Sequence, residues 1–254
     1  MYRLFLSLFL ACALHAGELP VLKLSSKLMQ EHNPLLPKLE PELWKKLLAA
    51  EERLKNKTEA AQKEFLELAA KLTALHKLEK KEDEFILGGI IWNRKNNTIS
   101  IPAKLKSPNP GMPLEVLLCQ KKGRVHETLF VSDTRPLHLE VLLHMADFKR
   151  GSLFEMTVEG SGGAKNIEEF LSWKGKGREA VLWKFTGSEF GKEYIPDNAG
   201  EHIIVWSRHE AVLSIANNDF SSLKVPLYTE DVKNFPEDSK VLLTMKIHED
   251  LKKK

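Results

Sequence analysis

The spacing of apolar positions changes twice along the chain. Leu4–Ala13 is a ten-residue apolar run broken by Ser7 alone, behind the single basic residue Arg3 and ahead of Leu14-His15-Ala16. A charged start, an apolar stretch of that length and a small-residue boundary form the pattern of a cleavable export leader, here residues 1–16. Cleavage after Ala13 is the alternative, and acylation of Cys12 would give a lipid anchor, although Leu10 stands where such a signal usually has a small residue. Ten residues cover about 15 Å as a helix, half a hydrocarbon core, so no transmembrane helix is predicted. Residues 17–41 carry Pro20, Pro34, Pro37 and Pro41, each turning its predecessor away from helix, and read as a linker.

From Glu42 to Lys81 there is no glycine or proline, and Leu47, Leu54, Ala61, Phe65, Leu68, Leu72 and Leu75 form a narrow stripe at helical spacing. Residues 42–82 are therefore helical. They form one long helix or a hairpin broken near Thr58, packed on the chain's own domain or serving as a coiled-coil arm for a homodimer.

Past residue 84 the period shortens. Strands are predicted at Phe85–Trp92 and Thr98–Ala103, then at Leu114–Gln120 and Val125–Val131, the last two as a hairpin closed at Gly123. A helix follows at Pro136–Phe148, capped by Asp133 or Thr134, and further strands at Leu153–Val158, Ala180–Phe185, His202–Trp206 and Val241–Ile247. The fold class expected for residues 84–248 is α+β: a mostly antiparallel sheet with one or two packed helices, preceded by the helical segment and followed by a basic tail at 249–254.

Composition narrows the function classes. Without the leader, 38 basic residues lose Arg3 and stand almost level with 35 acidic ones. No concentrated basic surface is implied, and no nucleic-acid partner is expected. Of the two cysteines only Cys119 survives leader removal, which excludes an intrachain disulfide and four-cysteine metal or cluster ligation. No cofactor is expected.

The richest polar stretch is Glu115, Cys119, His126, Glu127, His138, Glu140 and His144. In a strand, Glu127 would share the apolar face of Val125, Leu129 and Val131, where a carboxylate needs a partner. A three-residue loop at 121–123 would bring Glu115 onto the same face diagonally, a pair suited to acid/base work; a two-residue loop would separate them. A metal held by His126, Glu127 and His138 is the alternative chemistry. Glu140 and His144 share a helical face. Ser188, next to Gly187, lacks the flanking glycines of a nucleophile elbow, and Gly160–Gly163 lacks the lysine of a phosphate loop. Trp173, Trp183 and Trp206 are candidates to line a ligand groove.

Three blocks of sequence resemble the YdjY-like domain of bacterial exported proteins: Pro113–Leu118, then Gly123-Arg124-Val125-His126-Glu127-Thr128-Leu129, and Arg135-Pro136-Leu137-His138 with Leu142-Leu143. Trp183–Phe190 is similar to a second recurring block of that family. The resemblance covers roughly residues 84–248. It implies a periplasmic protein without an established activity, and marks Glu115, His126, Glu127, His138, Gly187 and Ser188 as site residues. Some relatives carry ferredoxin-like cysteine segments, which this chain lacks. Relatives tend to have glycine after the helix; this chain has Ala146 and Asp147. The function expected is a non-catalytic periplasmic binding or accessory module for an unknown protein or envelope ligand; the competing expectation is a carboxylate- or metal-dependent enzyme centred on Glu127.

Overall fold

The computed structural model describes residues 26, 30, 40–53, 59–75, 77–106, 111, 113–173, 181–189, 194–205, 210–216 and 227–248. The expected leader, most of the linker, the tail at 249–254 and Trp206 lie outside them. The chain divides into two compact units, residues 1–78 with 190–193, and residues 79–189 with 194–254.

In the first unit, α1 (Pro41–Arg53) and α2 (Glu59–Leu75) are separate helices. Proline opens α1, where its missing N–H would have had no intrahelical partner. Trp44, Leu47 and Ala50 of α1 bury against Phe65 and Ala69 of α2, and Arg53 pairs with Glu64 at 2.7 Å. Leu47, Phe65 and Ala61 of the apolar stripe are thus buried within the chain.

The second unit departs from the fold class expected of it. A closed mixed barrel of eight strands replaces the antiparallel sheet with packed helices. Around the ring run β4 (Thr98–Leu105), β14 (Lys240–Ile247), β7 (Leu153–Gly160), β10 (Trp183–Phe185), β12 (Leu213–Ile215), β11 (Glu201–Ile204), β5 (Val116–Gln120) and β6 (Thr128–Ser132). The ring closes where β6 meets the end of β4, Val131 opposite Lys104 and Phe130 opposite Leu105. Pairings β5–β6 and β11–β12 are parallel and the others antiparallel. Four more strands are added: β1 (Leu78–Lys81), β2 (Glu84–Leu87) and β3 (Ile90–Asn93) continue outward from β4, and β8 (Gly163–Asn166) lies on β7. A separate ribbon pairs β9 (Leu171–Trp173) with β13 (Leu227–Thr229). The helices of this unit, among the described residues, are α3 (Pro136–Met145) and the single turn α4 (Ile195–Ala199), beside two 3-10 turns.

Burial explains why alternation misled. Strands β4, β7 and β14 alternate buried and open positions, as strands with one solvated face do. Strands β6, β11 and β12 are buried at every position and β5 at all but its last. Their near-continuous apolar runs belong to strands covered on both faces, and the two parallel pairings of the barrel are made among these four.

One strand expectation and one hairpin expectation are corrected. Phe85–Trp92 is two strands, because Gly88 (φ +55°) and Gly89 (φ +89°) turn the chain between β2 and β3. The segment after β5 does not make a hairpin. It returns past its own strand, through a 3-10 turn at Val125–Glu127, so that β6 starts at the same end as β5 and runs parallel to it. Gly123 is needed here for close approach, not for a left-handed turn. A Cβ on it would lie 2.9 Å from Cys119 Cβ and 3.0 Å from the Gly200 carbonyl oxygen.

The helix α3 is also shorter than expected. Asp147 takes the left-handed conformation (φ +61°) that a glycine would otherwise supply, and Phe148 N–H returns to the Leu143 carbonyl. Its N-terminus is capped neither by Asp133 nor by Thr134. Asp197 of α4 accepts the Leu137 N–H at 2.9 Å and binds the Arg135 guanidinium with its other oxygen. A cap contributed from sixty residues away leaves no local signal.

Gly88 sits on the ring of His138, where a Cβ would fall 2.0 Å from Nδ1. Gly88→Ala should cost about 2–3 kcal/mol, from the clash and the positive φ together. Urea unfolding measures this, and Gly111→Ala, with the same sign of φ and open space around it, is the control for the backbone contribution.

Candidate functional site

Two of the polar residues singled out in the sequence, Glu115 and Glu127, meet around one cation. Arg124, in the segment returning from β5 to β6, lies between Glu115, just ahead of β5, Glu127, at the end of the 3-10 turn, and Glu201, the first residue of β11. Its Nε and Nη2 donate to the two oxygens of Glu201 at 2.6 and 3.1 Å, a bidentate fork. Its Nη1 donates to Glu115 at 2.7 Å and, more weakly, to Glu127 at 3.5 Å. The Glu201 carboxylate, foremost, raises the Arg124 pKa still further above its ordinary value. Glu201 is only 3 % exposed, so burial without this cation would be costly.

Glu115 and Glu127 therefore do come together, but through Arg124 and not across a hairpin. Glu127 is not in a strand at all. The backbone joins the pair independently, Glu115 N–H donating to the Glu127 carbonyl at 3.3 Å. Three carboxylates face one guanidinium, leaving the group net negative. His126 is 79 % exposed on its side chain, with Nε2 3.4 Å from Glu127. Beneath the network, Cys119 is fully buried and burial pushes its thiol up to about 11, far from the range of a reactive thiolate.

Other candidates fall elsewhere. His138, 3 % exposed, is on α3 beneath Gly88 while His126 stands in solvent. Among the described residues no group of three or more His, Cys, Asp or Glu is arranged to hold a metal ion. Gly187 (φ +64°) packs directly on the Arg150 guanidinium, and the Ser188 backbone is clamped, its N–H donating to Glu140 at 3.1 Å and its carbonyl accepting from Arg150 at 2.8 Å. Tyr194 donates its hydroxyl to the same Glu140 oxygen; burial and then that carboxylate raise the phenol's pKa. The Gly-Ser turn is an anchor for this segment. Trp183 is wholly buried in β10 and Trp173 nearly so, which takes both away from any open groove.

Glu201, Arg124 and the buried His202 are the residues that the sequence reading did not select. Glu201 carried the signal applied to Glu127, a carboxylate that alternation puts on one face with apolar residues, here Ile203 and Val205.

No helix among the described residues is long and apolar enough to cross a membrane. Comparison with known proteins finds no family whose sequence profile matches the chain, no curated protein similar to it, and no solved structure that matches its fold. The likeness to the YdjY-like domain rests on the sequence blocks alone.

Proposed function

We propose that this chain is an exported, non-catalytic binding or accessory module of the bacterial envelope, built on a YdjY-like domain and directed to a protein or envelope ligand. One observation carries the reading: Glu115, which an acid/base mechanism would pair with Glu127, is committed to Arg124 together with the buried Glu201. A general base must offer a lone pair to substrate within hydrogen-bond reach. Here Glu201 spends both oxygens on the guanidinium fork, and Glu115 is bound to it at 2.7 Å. Export rests on the leader pattern of residues 1–16. Of the stripe that a homodimer through residues 42–82 would use, Leu47, Ala61 and Phe65 are buried in the chain and Leu75 is 36 % exposed.

The enzyme reading has one observation in its favour. Glu127 has the longest bond to Arg124, and His126 stands beside it in solvent. Glu127→Gln separates the two readings. A module should keep its fold and its bound partner, with stability changed by no more than about 1 kcal/mol, because the pair is partly exposed and screened.

Native mass spectrometry of the protein purified from the periplasm is the experiment. A mature chain beginning at Gly17 that retains a protein or envelope ligand, equally in wild type and Glu127→Gln, supports the proposal. A metal retained by the wild type and lost on substituting His126 or Glu127 would overturn it in favour of the enzyme. A chain still beginning at Met1 would remove the export on which the reading depends.

A further inference from the structure

Three strand ends meet at one end of the barrel. Gln120 closes β5 and Ser132 closes β6, opposite one another in register, while β11 begins there with Glu201 opposite Cys119. Because β5 lies between β11 and β6, the bond from His202 to Thr134 spans the end of the strand that carries Gln120.

The direction of every proton in this group can be deduced. The Pro102 carbonyl can only accept, so the Ser132 hydroxyl spends its one proton there, at 2.6 Å. Ser132 Oγ then accepts twice, from the Thr134 N–H at 3.1 Å and from Thr134 Oγ1 at 2.9 Å. That uses the Thr134 proton, so the 3.1 Å contact between Thr134 Oγ1 and His202 Nε2 must carry its hydrogen on the imidazole. His202 is fixed as the Nε2–H tautomer, and Nδ1 presents a bare lone pair. Gln120 must likewise turn its NH2 toward the Thr134 carbonyl, 2.8 Å away, leaving Oε1 as a second acceptor. Both Nδ1 and Oε1 are buried with no hydrogen-bond partner among the described residues, and His202 is 0 % exposed.

We propose that His202 Nδ1 and Gln120 Oε1 form an internal binding site for one small neutral donor of two hydrogen bonds, a water molecule held at the β5–β6–β11 end of the barrel. Both side chains are held on Thr134, Gln120 through its carbonyl and His202 through its hydroxyl, and two acceptors that share one ligand require a double donor; bound waters serve buried polar groups of this kind. A cation does not suit the site, since both oxygens of the neighbouring carboxylate, Glu201, are taken up by the Arg124 fork.

Long-range proton–nitrogen NMR of the wild-type protein labelled with [15N]histidine tests the proposal at neutral pH. The expected result is a His202 ring protonated at Nε2, with an unprotonated Nδ1 shifted as a hydrogen-bond acceptor, and cross-relaxation from its ring protons to a long-lived water. Gln120→Leu, with the fold followed by its amide spectrum, should shorten that water's residence at least tenfold. A ring protonated at Nδ1, an Nδ1 bonded to a donor of the chain, or no long-lived water in the wild type would overturn the site. Should the variant not fold, an atomic-resolution crystal structure of the wild type decides the same point by density between the two acceptors.

Discussion

Arg124→Met lowers the stability of the barrel by about 3 kcal/mol, the scale on which removing one partner strands a buried charge. The side chain is of similar length, so the loss is electrostatic and not a loss of packing. Glu201, 3 % exposed, keeps a carboxylate with no counter-charge, and Glu115 and Glu127 add repulsion from nearby. The segment that Arg124 pins is the one that makes β5 and β6 parallel, so the effect reaches beyond the ion pair. Chemical denaturation of the single variant and of Arg124→Met/Glu201→Gln measures it. The double variant should recover at least half of the loss, because the group left stranded has been neutralised. A single variant within about 1 kcal/mol of wild type would reduce the network to an exposed ion pair. Arg124→Lys should also lose stability, since one ammonium cannot reproduce the two-pronged fork on Glu201.

The second large effect is with pH. Complete burial of His202 favours its neutral form and lowers its pKa to about 3 from 6.5, a hydrogen bond to the Thr134 backbone opposing this only in part. The unfolded chain binds a proton near pH 6.5 and the folded chain does not, so the unfolded state holds more protons between those values. His202 therefore leaves the fold undiminished above pH 6.5 and destabilises it progressively as pH falls toward 3, by up to roughly 4–5 kcal/mol. Urea unfolding of the wild type and His202→Gln across pH 3 to 8 should give curves whose difference narrows as the solution is acidified. Parallel curves would show that His202 takes up its proton in the folded chain as readily as in the unfolded one. Thr134→Val, which removes the acceptor of His202 Nε2, should destabilise the protein at pH 7 while preserving the acid slope.

The elements most legible in the sequence are those whose signal is local. The absence of glycine and proline after Pro41 identifies the helices as far as Leu75, although the segment expected to be helical to residue 82 ends in strand β1, Leu78–Lys81. Alternation in β4, β7 and β14 identifies strands with one open face, and the Pro136 block identifies the start of α3. Glu127 was singled out as a carboxylate on the apolar face of a strand that needs a partner; it lies instead in a 3-10 turn, its side chain 33 % exposed, with Arg124 3.5 Å away. What it did not reveal is which partner. The inference ran from a presumed hairpin register to a carboxylate pair, while the real partner, Arg124, lies three residues away and is shared with Glu201 from the far part of the chain. The same limit applies to the cap of α3, supplied by Asp197, and to Thr134, whose hydroxyl serves the Ser132–His202 chain.

Residue type and spacing by themselves determined the two helices after Pro41 and most strands, because each depends on covalent identity or on neighbours a few positions apart. Only the tertiary structure decided that β5 and β6 run parallel, that the sheet closes on itself at Val131 and Lys104, and that three glutamates converge on one arginine. Those outcomes depend on which segments bury both faces and on which backbones can approach closely, as Gly123 does Gly200. Hydrophobic patterning specifies that a face must be covered; the competition among all available covers, settled by packing of the whole chain, specifies by what.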